Sequence, residues 1–145
     1  MNSVSTGYSG TPLPKKLGIQ TGSHVCVRKA PDNYLDLLKD LPADVVFEKK
    51  LSTATDIVHL FTDKKTILVK ELLAYKSSLR SDAAIWVSWP KKASKRPTDI
   101  TEDTIREVAL PMGYVDIKVC AVSEIWSGLK LVVRKELRPD WPASR

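Results

Sequence analysis

Glycine is missing from the middle of this chain: between Gly22 and Gly113 there is none. Loops that wrap a nucleotide phosphate, of the GxGxxG or GxxxxGK[ST] kind, use glycine so that backbone can turn sharply and approach the ligand. A standard dinucleotide or P-loop site is thereby excluded. Cysteine is scarce too. Cys26 and Cys120 each sit inside an apolar run of strand character and form no CxxC pair, which points to a reducing, cytoplasmic setting. Neither His24 nor His59 has a second ligand at metal spacing, so no metal is expected, and both histidines read as packed or edge residues. No apolar stretch approaches the roughly 18–20 residues that span a bilayer. With no charged-then-apolar leader either, no membrane partner is expected.

What is present suffices for one core. The 145 residues, 43% of them hydrophobic, can bury most of the surface that the unfolded chain exposes. Residues 1–12 are small and polar and read as a flexible lead-in, 13–138 as a single domain, and 139–145 as an irregular tail. A strand is expected from His24 to about Lys29. It runs into an amphipathic helix in which Tyr34, Leu37, Leu38 and Leu41 share one face and Asp32 stands as N-cap. The stretches DVVFEKKL (44–51) and DIVHLFT (56–62) read as two more strands, and the Ser52–Ala54 link between them is too short for a helical crossover. Either the second strand is brief and a straight loop returns along the sheet, or these two strands pair antiparallel.

Leu68, Leu72, Tyr75 and Leu79 then define a helix of about four turns. AAIWVSW (83–89) follows as a central strand with apolar bulk on both faces, Trp86 and Trp89 pointing to opposite sides and Trp86 into the core. Thr101 caps a third helix with Glu102 and Asp103 in its first turn and Ile100 and Ile105 at staple positions. Pro111 and Gly113 end it. Two strands joined by SEIWSG (123–128) close the domain as a hairpin. The alternation makes an α/β three-layer Rossmann-like sandwich, with a mostly parallel sheet of about six strands ending in an antiparallel β-hairpin.

In such a sheet ligands bind beyond the carboxyl ends of the strands, where helix N-termini and loop amides converge. Four loops reach that edge: 29–32, 62–64, 89–98 and 123–128. The third carries Lys91, Lys92, Lys95 and Arg96, four cations in six residues with no acid between Asp82 and Asp99. That pattern, leading into a helix start, points to an anion, and the net charge of +6 agrees with it; a solvated loop is the plain alternative. Trp89 and Trp126 are candidate stacking platforms for a ring. Pro31, Asp32 and Glu124 complete the candidate ligand-binding set. Without glycine to bring backbone onto a phosphate, the grip is expected from side chains and the Thr101 helix terminus. Ser88, Ser123, Ser127 and Glu124 supply polar groups near the crevice, but they make no recognisable base, nucleophile and orienter, so no catalytic residue is assigned. Cys26 and Cys120 read as small apolar residues of the core.

The lead-in KKLGIQTGSHVCV (15–27), the DIVHLF strand, the long helix, AAIWVSW, the helix after TED and the final hairpin resemble, in element order from about Leu13 to Leu137, the framework of class I S-adenosylmethionine-dependent methyltransferases. The resemblance implies their fold. It would place the cofactor's glycine loop at Val27–Asp32, where this chain has no glycine, and the ribose-holding acid at Glu48. One strand-helix unit of that framework is missing between Leu51 and Asp56. The segments SGTPLPKKLGI (9–19), WVSWPKKAS (86–94), TDITEDTIRE (98–107) and WSGLKLV (126–132) are similar to short bacterial proteins of unknown function, which implies a bacterial source and supplies no activity. Three expectations follow. The first is non-catalytic binding of an anionic small molecule or a partner protein at the carboxyl edge, with no cofactor. The second is an S-adenosylmethionine-dependent methyltransferase with an atypical cofactor loop. The third is a nucleic-acid-binding module using the 91–96 loop.

Overall fold

Strand β1 (His24–Arg28) lies inside the sheet, with β2 (Val46–Glu48) on one side and β3 (Ile57–Phe61) on the other, both parallel to it. The computed structural model describes residues 10–141; the lead-in through Ser9 and residues 142–145 of the tail lie outside them. The six-stranded sheet has the order β2-β1-β3-β4-β6-β5. Strand β4 (Ala84–Pro90) continues the parallel set, and β6 (Trp126–Val133) runs antiparallel between it and β5 (Tyr114–Ala121). Of the two arrangements open for the 44–51 strand, the parallel one is realised, with β2 the brief strand. The link to β3 is a tight turn with Ser52 N–H donating to Thr55 Oγ1 at 3.1 Å and the Thr55 hydroxyl donating to Glu48 at 3.0 Å.

Each face of the sheet has its own cover. Helices α3 (Lys65–Ser78) and α4 (Glu102–Ala109) pack on one side, burying Leu68, Leu72, Tyr75, Ile105 and Val108 against Val58, Leu60, Ile85 and Val87. The apolar stripe of α3 is the one its spacing demands. The start of α4 is held by a reciprocal Thr101–Thr104 box, with Ile100 and Ile105 buried on either side of it. The other face has only α1 (Leu13–Leu17) and α2 (Tyr34–Leu37), which close over Val25, Ile57, Phe61 and Trp86. Trp86 is fully buried and its indole N–H donates to the Leu17 carbonyl at 3.0 Å.

Helix α2 is much shorter than its periodicity promises. Leu38 has left the helix and Asp40 is left-handed at φ 64°, while Pro42 disfavours helical backbone at Leu41. Asp32 is accordingly not a cap: Asn33 holds that position, without a side-chain bond. The last strand, β6, ends at Val133, where the Arg134 N–H turns to the Gly113 carbonyl at 3.0 Å. Residues Lys135–Asp140 form a 3₁₀ turn that seats Trp141 edge-on to Tyr114, 5.5 Å between ring centres. The first part of the tail is thus ordered by an aromatic contact.

Two local features re-aim side chains. A bulge interrupts β5 between Asp116 and Lys118. Before it Asp116 meets Arg106 of α4 at 2.9 Å; after it Lys118 and Cys120 look toward α1, the flip that one extra residue produces. Opposite Cys120 in the ladder stands Gly128, where a Cβ would come within 3.1 Å of Val122 and 3.3 Å of the Trp86 ring. Glycine there lets the indole lie flat on the strand.

Candidate functional site

The chain leaves β1 for β2 on one side while β3 lies on the other, so the topological switch falls between β1 and β3, and the crevice rule points to their carboxyl ends. The backbone turns there without glycine. Lys29, just after β1, takes φ 57°, and Lys95 in the basic loop takes φ 60°. Non-glycine residues are uncommon in that left-handed region and cost about 1 kcal/mol or more there. Pro31 is half-buried and Asp32 exposed in the first loop, where the Pro31 carbonyl accepts the Tyr34 N–H at 3.0 Å.

From that loop a row of rings crosses the edge. Tyr34 meets Phe61 edge-on at 5.4 Å, and Phe61 meets Trp126 edge-on at 5.1 Å. Beyond Trp126 comes the Arg96 guanidinium, 5.7 Å from the ring centre, within the range of a cation–π contact. The basic loop that delivers Arg96 is folded on itself. Lys92–Ser94 make a 3₁₀ turn, the Ser94 hydroxyl donates to the Lys91 carbonyl at 2.6 Å, and the Arg96 N–H donates back to Ser94 Oγ at 3.2 Å. The Lys91 N–H ties the loop to the hairpin turn through the Ile125 carbonyl at 2.7 Å. At its far end the Thr98 hydroxyl donates to the Asp63 carbonyl at 2.8 Å.

The candidate residues separate on this frame. Lys92, Lys95, Arg96 and Glu124 are exposed, Lys91 and Trp126 half-buried, and all six stand at the carboxyl edge. Trp89 is 8% exposed and belongs to the core under α3 and α4, the opposite face from Trp126. It offers no ring to a ligand, because the strand's alternation turns it toward the well-covered side. The Thr101 terminus is partly taken: its box satisfies the Thr101 and Thr104 amides, and Glu102 and Asp103 already supply the negative charge that the helix dipole favours. Asp99 caps α3 instead, accepting the Lys65 N–H at 2.7 Å. Any grip on an anion therefore falls mainly to side chains.

Sequence reasoning missed two buried polar groupings. His59, fully buried in β3, bonds Ser88 Oγ through Nε2 at 2.7 Å and the Tyr34 hydroxyl through Nδ1 at 2.9 Å. Burial pushes its pKa from 6.5 down to about 3, so the ring stays neutral. The spacing imitates a nucleophile and base, but Ser88 is 0% exposed, so no substrate reaches it and the trio serves to join β3, β4 and α2. On the other face Glu71 is held by Arg28 at 2.9 Å and by the Tyr75 hydroxyl at 2.8 Å. Burial alone would raise the Glu71 carboxyl; the bonds from Arg28 and Tyr75 outweigh it and hold it below the ordinary 4.5. Glu48, the acid at the end of β2, is occupied as well, accepting from Thr55 and lying 2.9 Å from His24 Nδ1. Among the described residues no group of three His, Cys, Asp or Glu could hold a metal ion, and no helix is long and apolar enough to cross a membrane.

The profile of a family described as a protein of unknown function, DUF3052, matches residues 28–135. The chain belongs to this family. Among curated proteins none matches it. Solved structures do share its fold. A candidate type 11 methyltransferase from Sulfolobus solfataricus superposes with a TM-score of 0.53 at 14% identity, covering 85% of this chain and 90% of its own. A fibrillarin pre-rRNA processing protein from Methanococcus jannaschii gives 0.53 at 8% identity, over 88% of this chain and 70% of its own. The B. subtilis tRNA methyltransferase TrmK gives 0.52 at 10% identity, over 91% and 69%. At such identities the likeness is one of fold: the family shares a methyltransferase-like, Rossmann-like framework with its parallel strands and terminal hairpin.

Proposed function

We propose that the protein binds an anionic small molecule at the carboxyl edge of its sheet and holds it without transforming it. The observation that supports this is the basic loop folded against Trp126. Among the described residues none of Lys92, Lys95 and Arg96 forms an ion pair with a carboxylate, yet the loop is internally bonded and its arginine is parked on an aromatic ring. Cations carried on a braced backbone beside a ring platform suit a flat anion, with the ring on Trp126 and the charge on Lys92 and Lys95.

Binding of nucleoside monophosphates and aromatic carboxylates, read by tryptophan fluorescence and thermal shift, tests this. Lys92→Ala with Lys95→Ala should weaken binding by roughly tenfold or more, since hydrogen bonds to charged groups contribute about 1.5–3 kcal/mol each. If no such anion raises the melting temperature, the reading fails. Tight binding of a single-stranded oligonucleotide with a steep salt slope would replace it with a nucleic-acid role.

S-adenosylmethionine enters through the fold alone. At the two places where the fold family would hold it, the Lys29 side chain and Pro31 replace glycine, and the Glu48 carboxylate is engaged by His24 and Thr55. These residues do not fit the cofactor, and no reaction step is derived through it. Calorimetry with millimolar S-adenosylmethionine tests that point, and a clear binding isotherm would reverse it.

A further inference from the structure

Three lysines meet at one cavity, and none of the described residues lining it is a carboxylate. It lies between α1 and the end of β5, about 440 Å³ in volume, with Lys15, Lys16 and Lys118 around it and Cys120 in its wall. That size is within the range of small-molecule sites. The arrangement is specific to the fold in two ways. The β5 bulge turns Lys118 and Cys120 to this side of the sheet, and bulges recur where a side chain is re-aimed beside a site. The Lys16 ammonium donates to the Ala121 carbonyl at 3.3 Å, which fixes its charge at the strand end. Burial pushes the Cys120 thiol up, while Lys16, Lys118 and Lys91 pull it back down; the thiol is surrounded by positive charge.

We infer that this pocket is a second anion site, using lysines other than those of the basic loop, and that its ligand is a small phosphate-bearing molecule. Ammonium groups are compact point charges that suit the multiple negative charge of a phosphate, whereas a planar carboxylate is matched by the arginine fork, which this pocket lacks. The partly enclosed wall of Val119, Cys120 and Ala121 limits the screening of the lysines by salt. The inference does not depend on the carboxyl-edge reading.

Cys120 is a built-in reporter, because Cys26 is fully buried. Iodoacetamide alkylates the Cys120 sulfur with loss of iodide and a proton, and being neutral it is not itself drawn to the lysines. Pyrophosphate at about ten times its dissociation constant should slow that alkylation by about tenfold, since roughly one site in eleven is then empty. Lys15→Ala with Lys118→Ala should abolish the protection, and Lys92→Ala with Lys95→Ala should leave it intact. Pyrophosphate can also be followed directly by the broadening of its phosphorus resonance, which should vanish in the Lys15/Lys118 double variant, with unchanged circular dichroism showing that the variant is folded. Millimolar pyrophosphate that neither protects Cys120 nor broadens overturns the inference. So does protection by a short oligonucleotide, at equal phosphate, that pyrophosphate cannot reproduce, because the phosphate source would then be a polymer. Protection lost on removing Lys92 and Lys95 alone would merge the pocket with the basic loop and overturn its independence.

Discussion

The two faces of the sheet differ in thickness, and the difference separates stability from chemistry. On one side α3 and α4 bury a continuous apolar layer, and its one buried acid, Glu71, is matched by Arg28. On the other, a five-residue and a four-residue helix cover the sheet, and the remaining area is closed by rings, by the His59 trio and by the hairpin turn. Trp126, Cys120 and the lysine pocket all lie on this thin side. The thick helix layer covers its strands and opens at the start of α3 and α4, between Asp63–Lys64 and Pro97–Asp99. The thin one opens between α1 and β5, and it is where the groups able to contact a ligand collect.

The largest expected effect tests that contrast directly. Leu72 is 0% exposed on the buried face of α3, and Leu13 is 8% exposed in α1. Leu72→Ala should cost about 3–5 kcal/mol by urea denaturation, and Leu13→Ala about 2 kcal/mol or less, because a cavity under a short, marginal helix can collapse while one under a long packed helix cannot. Equal losses would show that the thin cover is as firmly packed as the thick one.

A smaller effect belongs to the thin face alone. The His59 pKa is depressed from 6.5 to about 3 by burial, so the unfolded chain binds a proton that the folded chain refuses. Stability is therefore complete above pH 6.5 and falls as pH drops toward the folded value, at about 1.4 kcal/mol per unit. Between pH 6.5 and 5 that amounts to about 2 kcal/mol. Glu71 and Asp56, both held below their ordinary 4.5 and 3.8, contribute stability that is lost only at lower pH. His59→Gln keeps bonding capacity toward Ser88 and Tyr34 but cannot titrate, so its urea midpoint should be nearly flat over this range. If wild type and variant fall in parallel, His59 is not the group responsible.

What the sequence made legible follows the range of each interaction. The α3 stripe, the two-sided β4 strand and the Thr101 cap rest on neighbours within one or two turns, and periodicity reads them. The His59 contacts span 25 and 29 residues, and nothing in DIVHLFT announces that a tyrosine and a serine will meet its histidine. Trp89 shows a subtler limit. Alternation said that it opposes Trp86, but which side would be thickly covered depended on α2, and α2 is cut short by a left-handed Asp40 and by Pro42. The β5 bulge had the same effect on Cys120: parity with Tyr114 and Asp116 would send it toward α4, and one extra residue sends it to the lysines. The basic loop was legible because charge density needs no partner to be seen; its contact with Trp126 was not.

The smallest effect bears on whether that loop is shaped for a ligand. Lys95 holds φ 60° as the left-handed end of the Lys92–Ser94 turn, a conformation that glycine adopts at no steric cost and a lysine at about 1 kcal/mol or more. Lys95→Gly should therefore raise stability by about 0.5 kcal/mol, the relief of strain being partly offset by the greater backbone freedom of glycine in the unfolded chain. It should at the same time weaken anion binding. Lys95→Ala, which keeps the strain and loses the charge, should weaken binding without the stabilisation. If the glycine variant is more stable and binds as well as wild type, the lysine is incidental to the site and the strain is a feature of the turn alone. If it is more stable and binds worse, stability has been given up at this position for a cation that the thin, ligand-facing side of the sheet requires.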